Sequence, residues 1–194
     1  IDSPSARLGI ITSGKSYLDV RQALDDLGID AAQAAEIGLR VYKVGMVWPL
    51  EADGVRSFAE GLEEILVVEE KRQLLEYQLK EELYNWREDV RPRVVGKFDE
   101  KGEWAHVQRA DGTIDHGTWL LPAAGELTPA MIARAIALRI GRFVTSERIE
   151  TRIGRQGSQR LRHRRLRARC ELRRVALHAQ QYVGFVDQSD EVPV

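Results

Sequence analysis

Apolar residues recur in two alternating rhythms along the chain, one of strands and one of helices. Leu8, Ile10 and Ile11 crowd into residues 7–13, which predicts a strand. Val20, Ala23, Leu24 and Leu27 follow at i, i+3, i+4 and i+7, the single apolar stripe of a helix. Ser16 and Asp19 have capping-box spacing and place the start of that helix at Ser16, with Gly28 as its left-handed stop. A short Ala-rich helix is expected over 30–37, closed by Gly38. Residues 39–46 read as a second strand, ended by Trp48-Pro49. Asp53 is expected to cap a helix whose stripe is Val55, Phe58, Ala59 and Leu62. Ile65 to Val68 is an unbroken apolar run too short for a helix, which suits a strand buried on both faces in a parallel sheet.

Leu75, Leu79, Leu83 and Trp86 define a helix over 71–86, and Val94-Val95 opens another strand. Turn signals at 99–102 and at Asp111-Gly112 predict hairpin excursions over 96–121. Thr128-Pro129 opens a last helix with Ile132, Ile136 and Ile140 on its buried side and Gly141 at its end. This alternation predicts an α/β fold with an open, mostly parallel sheet covered by helices.

The chain has 194 residues, enough for one α/β domain with an appendage. No apolar run approaches the ~20 residues of a membrane span. Its start, Ile1-Asp2-Ser3-Pro4, lacks a methionine and a secretory signal pattern, so a processed or excised piece is expected. Cys170 is the only cysteine, which removes internal disulfides and thiolate clusters and makes a reducing cytoplasm the default.

A net charge of −1 conceals a division. Residues 1–146 hold 18 Lys+Arg and 24 Asp+Glu, whereas 147–194 hold 11 Arg, no Lys and 6 acids. This shift sets an expected boundary between a domain over 1–146 and an Arg-rich tail over 147–194. The tail has three readings: a grip on nucleic-acid phosphates, a solvated segment, and out-of-frame translation of GC-rich DNA.

Gly9, Gly14, Lys15 and Ser16 match the phosphate-loop pattern, with Glu69 as a magnesium-side acid. The context opposes a nucleotide-hydrolysing loop. Pro4, Ser5, Ala6 and Arg7 precede Gly9 where a strand belongs, and β-branched Ile10-Ile11 occupy the loop. A strand end, a turn and a capped helix fit better. Between the two stands a modest anion site at Ser13, Gly14, Lys15 and Ser16, a helix N-terminus with one point charge. Glu69-Glu70 can serve as catalytic carboxylates or as acids that favour a helix start. His106, Asp115 and His116 match no tight metal-ligand spacing.

Four segments, in order, resemble the indolepyruvate ferredoxin oxidoreductase family: Gly9-Ile10-Ile11-Thr12-Ser13-Gly14-Lys15, Val41-Tyr42-Lys43-Val44-Gly45-Met46-Val47-Trp48-Pro49-Leu50, Ile65-Leu66-Val67-Val68-Glu69-Glu70-Lys71-Arg72 and Gly125-Glu126-Leu127-Thr128-Pro129-Ala130-Met131-Ile132. The resemblance implies large thiamine-diphosphate enzymes that decarboxylate aryl 2-oxo acids oxidatively. They pass electrons through iron–sulfur clusters to ferredoxin and form acyl-CoA. The matching part resembles the C-terminal domain of transketolase, a three-layer α/β/α sandwich with five strands, one antiparallel.

The resemblance further implies that thiamine diphosphate, magnesium and clusters sit in other domains, that this chain alone is not an enzyme, and that no catalytic residue lies in it. Implied partners are the thiamine-binding domains, ferredoxin and coenzyme A, in a homodimeric parent. From Gly154 onward the chain departs from the family pattern.

Overall fold

A computed structural model describes residues 1–102, 107–108, 110–115, 117–144, 149, 151–152 and 154. The chain divides into two units, Ile1–Ile153 and Gly154–Val194, and all described residues except Gly154 belong to the first. Ile149 is buried in the core of that unit, so the core reaches past the boundary at 146 expected from charge.

Four strands form one parallel sheet: β1 (Leu8–Ser13), β2 (Leu39–Val44), β3 (Glu64–Val68) and β4 (Arg93–Val95), in the order β2-β1-β3-β4. β1 is central, pairing Ile10 with Val41 on one side and with Leu66 on the other. Among the described residues the sheet has four strands, all parallel, and the fifth, antiparallel strand implied by the resemblance is not among them. Among the described residues, antiparallel pairing is confined to β5 (Val107–Gln108) with β6 (Ile114–Asp115) and to a bridge between Phe98 and Trp119. These lie in the predicted hairpin region.

Helices cover both faces. Leu8, Ile10, Leu39, Leu66 and Val68 face α1 (Gly14–Leu27), α2 (Ala31–Ile37) and α5 (Pro129–Ile140). Ile11, Val44, Ile65 and Val67 face α3 (Ala52–Ala59) and α4 (Leu74–Leu83). Every side chain of β3 is buried, as its apolar run predicts. Gly28 and Gly38 close α1 and α2 in the left-handed region, at φ 68° and 81°.

Three helix starts differ from the expectation. α1 opens at Gly14 behind Ser13, so Ser16 lies inside the helix, buried, and no capping box forms. Glu51, not Asp53, caps α3: its carboxylate accepts from Asp53 N and Gly54 N at 2.9 and 2.8 Å. α4 starts at Leu74, three residues late, because Lys71 sits at φ 57° and breaks the helical path.

Gly9 belongs to the strand and has a packing role. A Cβ there would fall 2.7 Å from Phe58 Cζ and closer still to Leu62 Cδ1. Gly9→Ala should therefore cost about 1–3 kcal/mol through overpacking between β1 and α3. Urea unfolding of the variant checks this; an unchanged midpoint contradicts the stated contact.

Candidate functional site

Open α/β sheets place ligands outside the carboxyl ends of their strands, where neighbouring connections run in opposite directions. Here that point lies between β1 and β3. The chain leaves β1 towards β2 on one side and leaves β3 towards β4 on the other. Residues 13–16, at and just beyond the end of β1, and 69–73 after β3 form its rim.

The phosphate-loop reading of Gly9 to Ser16 fails on this geometry. Gly9, Ile10, Ile11 and Thr12 are buried strand residues paired on both sides, so their N–H groups serve the sheet and cannot cradle phosphate. Ser13, Gly14, Lys15 and Ser16 do come together at the start of α1. Lys15 Nζ lies 2.9 Å from Asp19, 3.6 Å from Glu70 and 3.7 Å from Glu126. The hydrogen bond that Lys15 Nζ donates to Asp19, reinforced by the other carboxylates, raises its pKa. One cation among three carboxylates leaves a net negative cluster, which repels an incoming anion. Lys15 instead links α1, the β3–α4 turn and residue 126. Thr12 Oγ1 is buried without a partner at the same end of β1, a cost of order 1–3 kcal/mol.

Beneath the 69–73 turn lies a buried polar network. The Glu69 carboxylate accepts from the backbone N–H groups of Leu74, Leu75 and Glu76 at 2.9, 2.9 and 3.1 Å, capping α4. Burial raises its pKa, and the three N–H bonds oppose that rise. The acids-at-a-helix-start reading of Glu69 thus describes its contacts. Lys97, 1% exposed, donates through Nζ to Glu69 O and to Pro122 O. Burial lowers its pKa, while the nearby Glu69, Glu76 and Glu70 carboxylates pull it up. Glu76 accepts from Lys97 N and pairs with Lys80.

At the opposite end of the sheet, Arg139 of α5 meets Glu64 of β3 in a bidentate pair with both side chains at most 4% exposed. Glu100 joins through Arg139 at 3.1 Å and through Arg142. The bond from Arg142 leads in holding the Glu100 carboxyl down, at about 2.

Lys97, Glu76, Arg139 and Glu64 were not singled out from the sequence. Arg139 carried a readable signal, because it falls on the face of α5 shared by Ile132, Ile136 and Ile140. His106, His116 and the side chain of Asp115 lie outside the described residues, as do Cys170 and the Arg-rich segment from 155 onward. Among the described residues, no group of three or more His, Cys, Asp or Glu is placed to hold a metal. Nor is any helix there long and apolar enough to cross a membrane.

The comparisons with known proteins point one way. The family model described as indolepyruvate ferredoxin oxidoreductase middle domain matches residues 1–168, reaching past 146 into the Arg-rich tail. The indolepyruvate oxidoreductase subunit IorA of Pyrococcus abyssi is 32% identical over 142 residues, 73% of this chain and 17% of that protein. Its counterpart in Pyrococcus horikoshii is 30% identical over the same share. In Methanothermobacter marburgensis the identity is 39% over 72 residues, 37% of this chain and 10% of the relative. This chain therefore spans about a sixth of the Pyrococcus relatives it matches. No solved structure matches it. With a family model covering most of its length, the chain belongs to the indolepyruvate ferredoxin oxidoreductase middle-domain family.

Proposed function

We propose that this chain is a non-catalytic assembly domain of an indolepyruvate:ferredoxin oxidoreductase. The observation that carries the reading is the family match over residues 1–168. The parent activity is the oxidative decarboxylation of an aryl 2-oxo acid to an acyl-CoA, with electrons passed to ferredoxin, in the cytoplasm and in a homodimeric assembly. Thiamine diphosphate with magnesium supplies the decarboxylation chemistry there and iron–sulfur clusters carry the electrons. The family resemblance implies that these groups sit in other domains, and no step is routed through this one.

The domain itself is read as transketolase C-terminal-like, the class with a fifth, antiparallel strand. Its work is mechanical. The charged groups singled out above are spent on one another: Lys15 on three carboxylates, Glu69 on the α4 N–H groups, Arg139 on Glu64. A rigid sheet with its interior charges satisfied suits a spacer that packs against the thiamine-binding domains.

The purified 194-residue chain, given indolepyruvate, coenzyme A, ferredoxin, thiamine diphosphate and magnesium, should reduce no ferredoxin. Steady ferredoxin reduction above the protein-free rate would overturn the assembly role.

A further inference from the structure

We infer that the carboxyl end of the sheet carries the docking surface for a neighbouring domain of the parent enzyme. That surface is an apolar patch of Met46, Trp48, Leu74 and Tyr77, edged by Lys71 and Arg72. The inference rests on the assembly reading and names the face through which assembly occurs.

Met46 and Trp48 lie on the loop between β2 and α3, and Leu74 and Tyr77 lie on the first turn of α4. They are 54%, 68%, 44% and 53% exposed. Gln78 stitches the two segments together. Its side-chain amide donates to Val47 O at 2.9 Å and to Leu74 O at 3.0 Å, and its side-chain oxygen accepts from Leu50 N at 2.8 Å. Leu50 itself is buried against the core. The exposed Trp48 therefore stands between two anchored residues. Aromatic residues and methionine held in place at low entropic cost are what the centres of protein interfaces use.

The edge is equally built. Lys71 holds a left-handed φ of 57°, a strained conformation for a non-glycine residue. Below it, Glu69 is fixed by three N–H groups and by Lys97. The buried network thus anchors the turn that carries the exposed Lys71 and Arg72. Among the described residues neither side chain has a hydrogen bond or ion pair, in contrast to Lys15 next door. Two unpaired cations beside an apolar patch fit a protein surface whose own apolar patch is edged by carboxylates. The occupant is a domain of the same parent: the matched segment is only 17% of the Pyrococcus subunits, so most of such a chain lies outside it and is available to cover this face.

Hydroxyl-radical footprinting tests this. The 194-residue chain is oxidised alone and again when grafted in place of the matching segment of the Pyrococcus abyssi subunit. In the graft, oxidation of Met46, Trp48 and Tyr77 should fall by about tenfold, as for side chains at an interface centre. Lys71→Glu with Arg72→Glu in the graft should return most of that reactivity. A graft that assembles while the three residues oxidise as in the free chain overturns the inference and leaves the assembly role standing. A graft that does not assemble overturns the assembly role and the inference with it. Protection indifferent to the charge reversal rules out the carboxylate edge. If the free chain sediments as a dimer that Trp48→Ser turns to monomer, the occupant is a second copy and the inference fails.

Discussion

Arg139→Ala is expected to lower the free energy of unfolding by about 3–5 kcal/mol, the range for removing one partner of a buried ion pair. Arg139 and Glu64 have side-chain exposures of 4% and 2%, and their contact is bidentate. Without the guanidinium, the Glu64 carboxylate stays buried at the start of β3 with no charge opposite it. Glu100 and Arg142 near the surface give little relief, because Glu100 binds the same guanidinium from the solvent side. The paired variant Arg139→Met with Glu64→Met should recover most of the loss, since similar volume then fills a site that no longer holds charge. Guanidinium unfolding of the three proteins reads the comparison. If Arg139→Ala costs under about 1 kcal/mol, the pair is solvated as surface pairs are.

The same residue shows how far the sequence could be read. Arg139 occupies the buried stripe of α5 with Ile132, Ile136 and Ile140, so its burial was visible in the 3.6-residue period. Its partner was not visible, because Glu64 is 75 positions away and only sheet topology brings the two together. β1, β3 and the stripes of α1 and α3 follow from local pattern, since burial on one or both faces leaves a periodic mark. Helix starts follow it less well. Ser16 and Asp19 have capping spacing, yet β1 already ends at Ser13 and Asp19 bonds Lys15 instead. At α4 the cap comes from Glu69, five to seven positions before the N–H groups it binds, a reach that no local capping rule contains. The exposed patch was half legible. Trp48-Pro49 marked a strand end, but an exposed Trp in a sequence looks the same as a buried one until Gln78 is seen to pin the loop.

Lys97→Met should produce the second large effect, again about 3–5 kcal/mol, with a pH dependence that distinguishes it from simple loss of packing. The methionine replaces the apolar stem, so little volume is lost. What disappears is the Nζ that binds Glu69 O and Pro122 O and faces the Glu69, Glu76 and Glu70 carboxylates. Two carbonyls lose their donor, and buried acids lose their cation at the point where α4, the end of β3 and residue 122 meet.

Burial also fixes the sign of the pH effect. It lowers the pKa of Lys97 in the folded protein below its ordinary value near 10.5. Between the folded and unfolded values, the unfolded chain binds more proton than the folded one. Stability from this group therefore rises as pH climbs through that window. Wild type should gain on Lys97→Met as pH increases towards the ordinary lysine range, and the gain should level off above it. Thermal unfolding of both proteins across alkaline pH reads the difference directly. A difference independent of pH would mean that Lys97 keeps its proton as readily inside the fold as in the open chain, and that the carboxylates around it fully offset its burial.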